Sequence, residues 1–114
     1  MKSIEDLRGA EISAVAFVRD YVEIHFDGPT LRCIAHPTIN VEDKVVQFPK
    51  PGSRDALCSV IGLVINCIKL EDGASCELSV SNGSRISIPL DNKHRRGHES
   101  MHFCSGLNAP VDVW

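Results

Sequence analysis

The sequence predicts a mainly β domain, a sandwich or partly closed barrel built from two related β-meanders with one short α-helix. Three observations carry this. A pattern occurs twice: Gly9-Ala-Glu-Ile12-Ser-Ala-Val15-Ala-Phe17 and Gly62-Leu-Val-Ile65-Asn-Cys-Ile68-Lys-Leu70, read as G-x-x-I-x-x-V/I-x-F/L. Each copy is followed by strict alternation (Val22, Ile24, Phe26; Cys76, Leu78, Val80) and a turn dipeptide (Asp27-Gly28; Asn82-Gly83). After each turn the alternation resumes, at Leu31 and Cys33 and at Ile86 and Ile88. Period-two apolar runs bounded by Asp-Gly or Asn-Gly are the signature of hairpins with one buried face. An α+β arrangement is the alternative.

Residues 1–8 predict a short helical turn, with Ser3 as its cap and Asp6 at the capping-box position. The first strand, about 11–18, is irregular, because Ile12 to Val15 is an odd step and Val15 to Phe17 an even one. Keeping all three on one face requires a β-bulge, and Ile65 to Ile68 repeats the odd step. The offset between copies grows from 53 at the leading glycines to 55 at the turn glycines, with the extra residues falling in turns. The pattern suits an internal duplication.

His36-Pro37 closes the first meander, assigned to 9–37. A connecting segment, 38–61, holds a short strand around Val45, Val46 and Phe48. The turn Pro49-Lys50-Pro51-Gly52 then stops it. Ser53 reads as an N-cap, and 54–61 as a short helix whose apolar face is Leu57, Val60 and Ile61. The second meander spans 62–90. A basic loop and hairpin, 91–114, place Met101 and Phe103 on one strand face and His102 and Cys104 on the other. The sum is eight or nine strands.

At 114 residues the chain predicts one domain, with 43% hydrophobic and 24% charged residues as in ordinary globular proteins. A net charge of −3 creates no field that draws nucleic acid or anionic membrane. Aromatic residues, at 5%, are too few for a base-stacking platform. Charge is uneven: residues 1–43 carry four basic and eight acidic residues, whereas Lys93-His94-Arg95-Arg96 is locally basic. No apolar stretch approaches transmembrane length and residues 1–10 are charged, so neither a membrane span nor a signal peptide is expected. The five cysteines form no CxxC pair; they read as reduced, mostly buried residues of a cytoplasmic protein.

Four constellations have residue types that could carry chemistry. His98 and His102 with Cys104 are the candidate metal ligands, His94 extending their i, i+4 spacing, but Gly97 breaks the helix that would align the histidines. Cys33 with His36 has the nucleophile–base pairing of a thiol enzyme, yet Cys33 matches Ile88 of the second copy and reads as core. Pro51-Gly52-Ser53-Arg54 opens the helix without the full phosphate-loop pattern. Glu23, His25 and Asp27 share the face opposite Val22, Ile24 and Phe26. That face suits acid–base chemistry, plain solvent exposure or partner binding. No cofactor is implied by any of these.

The E-x-M-x-F strand Glu99-Ser-Met101-His-Phe103, ending a small, acidic, cysteine-containing β chain, resembles bacterial orphan proteins encoded beside polymorphic or contact-dependent toxins and serving as their immunity proteins. The resemblance implies a non-enzymatic cytoplasmic inhibitor that binds its toxin and blocks the active site or substrate surface. A basic toxin domain is the implied partner, since opposite charge speeds association. It brings no catalytic residues. The expected partner-binding residues are Asp20, Glu23, His25 and Asp27 on the first meander and Lys93, Arg95 and Arg96 in the basic loop. The other readings are a small enzyme or metal-binding domain using His98, His102 and Cys104, and an oligomerisation module that pairs two chains as a homodimer through strand edges.

Overall fold

The computed structural model of the chain describes residues 3–91, 93, 99–106 and 109–114. Among the described residues, ten strands form two open, five-stranded antiparallel sheets. The first meander is β1 (Ala14–Val18), β2 (Tyr21–His25) and β3 (Thr30–Cys33); the second is β6 (Ile65–Glu71), β7 (Ser75–Val80) and β8 (Arg85–Pro89). Two hairpins complete them: β4 (Thr38–Val41) with β5 (Lys44–Gln47), and β9 (Met101–Cys104) with β10 (Val111–Val113). A 3-10 turn, Ile4–Leu7, and one helix, α1 (Ser53–Cys58), precede the meanders. The sheet orders are β1-β2-β3-β9-β10 and β5-β4-β8-β7-β6. The fold is therefore mainly β, as expected, with sheets that do not close into a barrel.

The sheet orders show that the repeat is longer than the two meanders. Each copy runs helical turn, three-strand meander, two-strand hairpin, in the same order. Each hairpin leaves its own meander and completes the sheet of the other copy: β4 pairs with β8, and β9 with β3. The segments expected to be a connector and an unrepeated C-terminal hairpin are thus equivalent parts of two copies. The 3-10 turn and the end of α1 match likewise. Ile4 and Leu7 correspond to Leu57 and Val60, all buried. Ala10 N–H donates to Leu7 O at 2.9 Å, as Leu63 N–H does to Val60 O at 3.1 Å.

The copies meet at their G-x-x-I segments through hydrogen bonds that come in matched pairs. Gly9 N–H donates to Ile65 O (2.8 Å) and Gly62 N–H to Ile12 O (2.7 Å). Ile12 N–H donates to Leu63 O (2.8 Å) and Ile65 N–H to Ala10 O (2.9 Å). Exchanging the copies reproduces the set, so a pseudo-two-fold axis passes between them. Gly9 and Gly62 both have φ near +88° (87° and 88°), a backbone state that a side chain disfavours.

The predicted bulges are present at equivalent positions. In β6 the register shifts between Ile65 and Cys67, leaving Asn66 unpaired. In the first copy Ser13 N–H donates to His25 O at 2.8 Å while Ala14 is the register partner of His25, so two residues oppose one. The bulges turn Ile12 and Ile65 fully inward. Matching inward residues of both sheets (Ile24 and Leu78, Leu31 and Ile86, Cys33 and Ile88, Phe103 and Ile39) fill one apolar cluster. This burial supplies most of the favourable free energy of folding.

Three expectations are corrected. The strand β4 replaces part of the expected connector; it is four residues long, with Ile39 buried and Val41 half-buried against the same core. The helix is capped by Gly52, in the left-handed region at φ 88°, and Ser53 is its buried first residue; the helix ends at Cys58 and leaves Ile61 exposed. Of the cysteines, all free, only Cys33 and Cys76 are buried; Cys104 is half-buried, and Cys58 and Cys67 are exposed. The capping box at the 3-10 turn holds in part, as Ser3 N–H donates to Asp6 Oδ2 at 2.8 Å. Among the described residues, no helix is long and apolar enough to cross a membrane.

Candidate functional site on the two outer sheet faces

Residues that pair directly across antiparallel strands share a face, so the register fixes what each sheet presents to solvent. On the first sheet one row reads Ala16, Glu23, Arg32, His102, Val113, and the next Ala14, His25, Thr30, Cys104, Val111. On the second sheet the equivalent rows read Lys69, Glu77, Ser87, Thr38, Gln47 and Cys67, Ser79, Arg85, Asn40, Val45. The glutamates coincide under the pseudo-two-fold, and their neighbours do not.

On the first face the polar side chains satisfy one another. Arg32 Nε donates to Glu23 Oε2 at 2.8 Å, and His25 Nε2 lies 3.2 Å from Glu23 Oε1. Arg32 Nη1 approaches His102 Nδ1 at 3.4 Å, and His102 Nε2 pairs with Glu99. A guanidinium can only donate, so Nδ1 accepts and Nε2 carries the proton directed at Glu99. Burial alone would raise the Glu23 carboxyl, but hydrogen bonds and charge from Arg32 and His25 outweigh it and hold the group below its ordinary value of 4.5. The hydrogen bond to Glu23 in turn raises Arg32, against the opposing effect of burial. The ladder spans β2, β3 and the start of β9.

Of the expected partner-binding residues, Glu23 and His25 belong to this ladder. Asp20 and Asp27 sit in turns at opposite ends of β2. The Asp20 carbonyl lies 3.1 Å from His36 Nε2, and Asp27 N–H donates to Ser13 Oγ at 3.2 Å. Lys93 is exposed, while Arg95 and Arg96 lie outside the described residues, as does His98. His102 and Cys104 share the outer face, but His102 turns to Arg32 and Glu99, and Cys104 Sγ donates to Gly106 O at 3.1 Å. Among the described residues no three His, Cys, Asp or Glu side chains are grouped to hold a metal ion. Arg32 and Glu99 were not singled out as site residues; their outward positions were readable, their pairing with His102 was not.

The thiol and anion candidates have other roles. Cys33 is fully buried and desolvation pushes its thiol far up, away from the reactive thiolate; Cys76, also desolvated, is pushed up to about 12. His36 packs edge-on against Phe48, with centroids 5.6 Å apart. Arg54, at the start of α1, lies over Phe48 (5.1 Å) and Phe17 (5.8 Å), two rings that stack on each other.

The second face is open where the first is filled. A depression of about 220 Å³ is lined by Thr38, Asn40, Val45, Glu77, Arg85 and Ser87. Its residues are the counterparts of His102, Cys104, Val111, Glu23, Thr30 and Arg32, so it occupies the place that the ladder takes on the first sheet. Ser87 and Thr38 are small where Arg32 and His102 are long. Among the described residues the Glu77 carboxylate has no hydrogen-bond or ion-pair partner; its row neighbour Lys69 pairs with Glu71 at 3.4 Å instead. Of its lining residues, Val45 on the edge strand β5 is 65% exposed. Half-buried acid, hydroxyl and amide acceptors and an apolar rim are suited to holding a side chain of another molecule. No protein-family model matches this chain, and no curated protein or solved structure does either.

Proposed function

We propose that the protein works by binding another protein, as an immunity-type inhibitor of a bacterial toxin in the cytoplasm, and that the outer face of the second sheet is its contact surface. The observation that carries this reading is the open depression around Glu77, flanked by exposed Val45. An unpaired carboxylate beside exposed apolar surface offers a partner both a charge to pair and an area to cover. The acidic excess of residues 1–43 supports a basic partner by steering its approach. On the first face, by contrast, Glu23 and His25 are engaged within the chain, which favours a supporting role for them. Mixing the purified protein with the product of the adjacent gene tests the reading. Binding at micromolar concentration or tighter, weakened by Glu77→Gln, is expected; no binding at that concentration rules out inhibition of that product.

A second reading, a homodimer through strand edges, draws on Val45 and on Val111 (47% exposed) and Val113 (52%) at the edge strand β10. Light scattering at rising concentration separates it from a monomer.

A further inference from the structure

We propose that the depression on the second sheet is a guanidinium-binding site that receives an arginine side chain from the partner. The inference rests on the protein-binding reading and adds the chemical group recognised. The protein's own first copy supplies the argument. There the glutamate at the equivalent position is met by a guanidinium rising from the next strand: Arg32 Nε donates to Glu23 Oε2 at 2.8 Å, while Nη1 reaches the side chain of His102 on the strand beyond. In the second copy the same three register positions are Glu77, Ser87 and Thr38. The carboxylate is kept, the guanidinium is deleted to a hydroxymethyl, and the third position offers a hydroxyl acceptor. The second ligand of Glu23, His25, is likewise replaced by Ser79. What remains is an arginine site without its arginine.

The lining chemistry agrees with this occupant. Guanidinium is planar and carries five donors in a fork, so it pairs best with a carboxylate and further oxygen acceptors in one plane. Glu77 provides the carboxylate, and Thr38, Ser87 and the Asn40 amide provide neutral acceptors around the depression. The aliphatic part of an incoming arginine would cover Val45, as long charged side chains cover apolar surface elsewhere. Arg85 belongs to the neighbouring row, with Ser79 and Asn40, at the position of Thr30 in the first copy. It lines the depression but is itself exposed, and it does not occupy the place of Arg32.

Titrating the full chain with N-acetyl-arginine methylamide, observed through backbone amide resonances, tests the site without the toxin. Saturable shifts at Asn40, Glu77 and Ser87 are expected, with the lysine analogue about tenfold weaker and the neutral citrulline analogue weaker still. Glu77→Gln should weaken the arginine probe about tenfold. Ser87→Arg, which supplies the chain's own guanidinium, should block it. The reciprocal variant, Arg32→Ser, should create a second site, seen as new shifts around Glu23 and His102. Citrulline binding as well as arginine, shifts centred away from Glu77, or unaltered binding to a folded Glu77→Gln protein would each overturn the assignment. Arginine binding at Glu77 without binding to the adjacent gene product keeps the site and removes the toxin as its source. The reverse result keeps inhibition and removes the site.

Discussion

The two outer faces are one design carried to two different ends. Both put a glutamate at the middle of the middle strand of a meander. On the first sheet Arg32, His25, His102 and Glu99 tie that glutamate into a closed ladder. On the second, serines and a threonine stand where the ladder residues would be, and a depression remains. The interior shows no such divergence. Inward positions tolerate only apolar residues of suitable volume, so Leu31 and Ile86, or Cys33 and Ile88, stay interchangeable in role. Outward positions face solvent and tolerate polar or charged side chains of any size, and there the copies differ.

The largest effects should fall on the shared interior and be alike in both halves. Leu31→Ala and Ile86→Ala, both at fully buried positions, should each cost about 2–5 kcal/mol in urea unfolding. A gap wider than that range between the two would break the equivalence of the halves. Gly9→Ala and Gly62→Ala come next. An added Cβ meets nothing within 4 Å at either glycine, so the cost is the left-handed backbone alone, about 1–2 kcal/mol each.

The paired glutamates should then sharpen the contrast. Glu23→Gln should destabilise by about 1 kcal/mol, a figure held down by the partial exposure of Arg32 (37%). Glu77→Gln should stay within about 0.5 kcal/mol. The Glu23 carboxyl lies below 4.5 in the folded state, so its contribution is complete above that pH and fades as pH falls through the lowered folded value. The difference between wild type and Glu23→Gln should accordingly close in acid, as a series of urea midpoints from pH 7 downward would show. The smallest effect concerns thiols. Exposed Cys58 and Cys67 should react with a disulfide reagent in the native protein, whereas Cys33 and Cys76 should react only after unfolding. Reaction of all of them at one rate would show that the core is open.

Much of the strand plan was legible because it is local. The odd apolar step from Ile12 to Val15 forecast the bulge at Ser13, and its echo after Ile65 forecast the one at Asn66. Asp27-Gly28 and Asn82-Gly83 marked the hairpin turns, with φ of 56° at Asp27 and 90° at Gly83. The strand Thr38–Val41 was hidden because it is only four residues long and follows Pro37 directly, so the alternation of Ile39 and Val41 is too short a run to stand apart from a loop. Sheet order was hidden for another reason. It depends on which surfaces meet, and nothing in the residues of β4 specifies β8 over β3. The ladder inherited that blindness, since Arg32 and His102 are 70 residues apart and adjoin only once β9 is placed beside β3. The depression followed from it, since its lining residues come together only once β4 lies beside β8.

The exchange of hairpins has a bearing on how the chain must be made. As it is synthesised, β1 to β3 can zip up early, but β3 keeps an unpaired edge until β9 arrives, and β4 with β5 has no sheet to join until β8 exists. Neither half can finish its own layer, so the late strands act as a lock on both. A chain halted before β9 would display the bare edge of β3, the kind of edge that recruits strands from other molecules. Conversely, separately produced pieces cut between β5 and α1 carry complementary missing strands, and assembly of the two from solution would recreate both sheets at once.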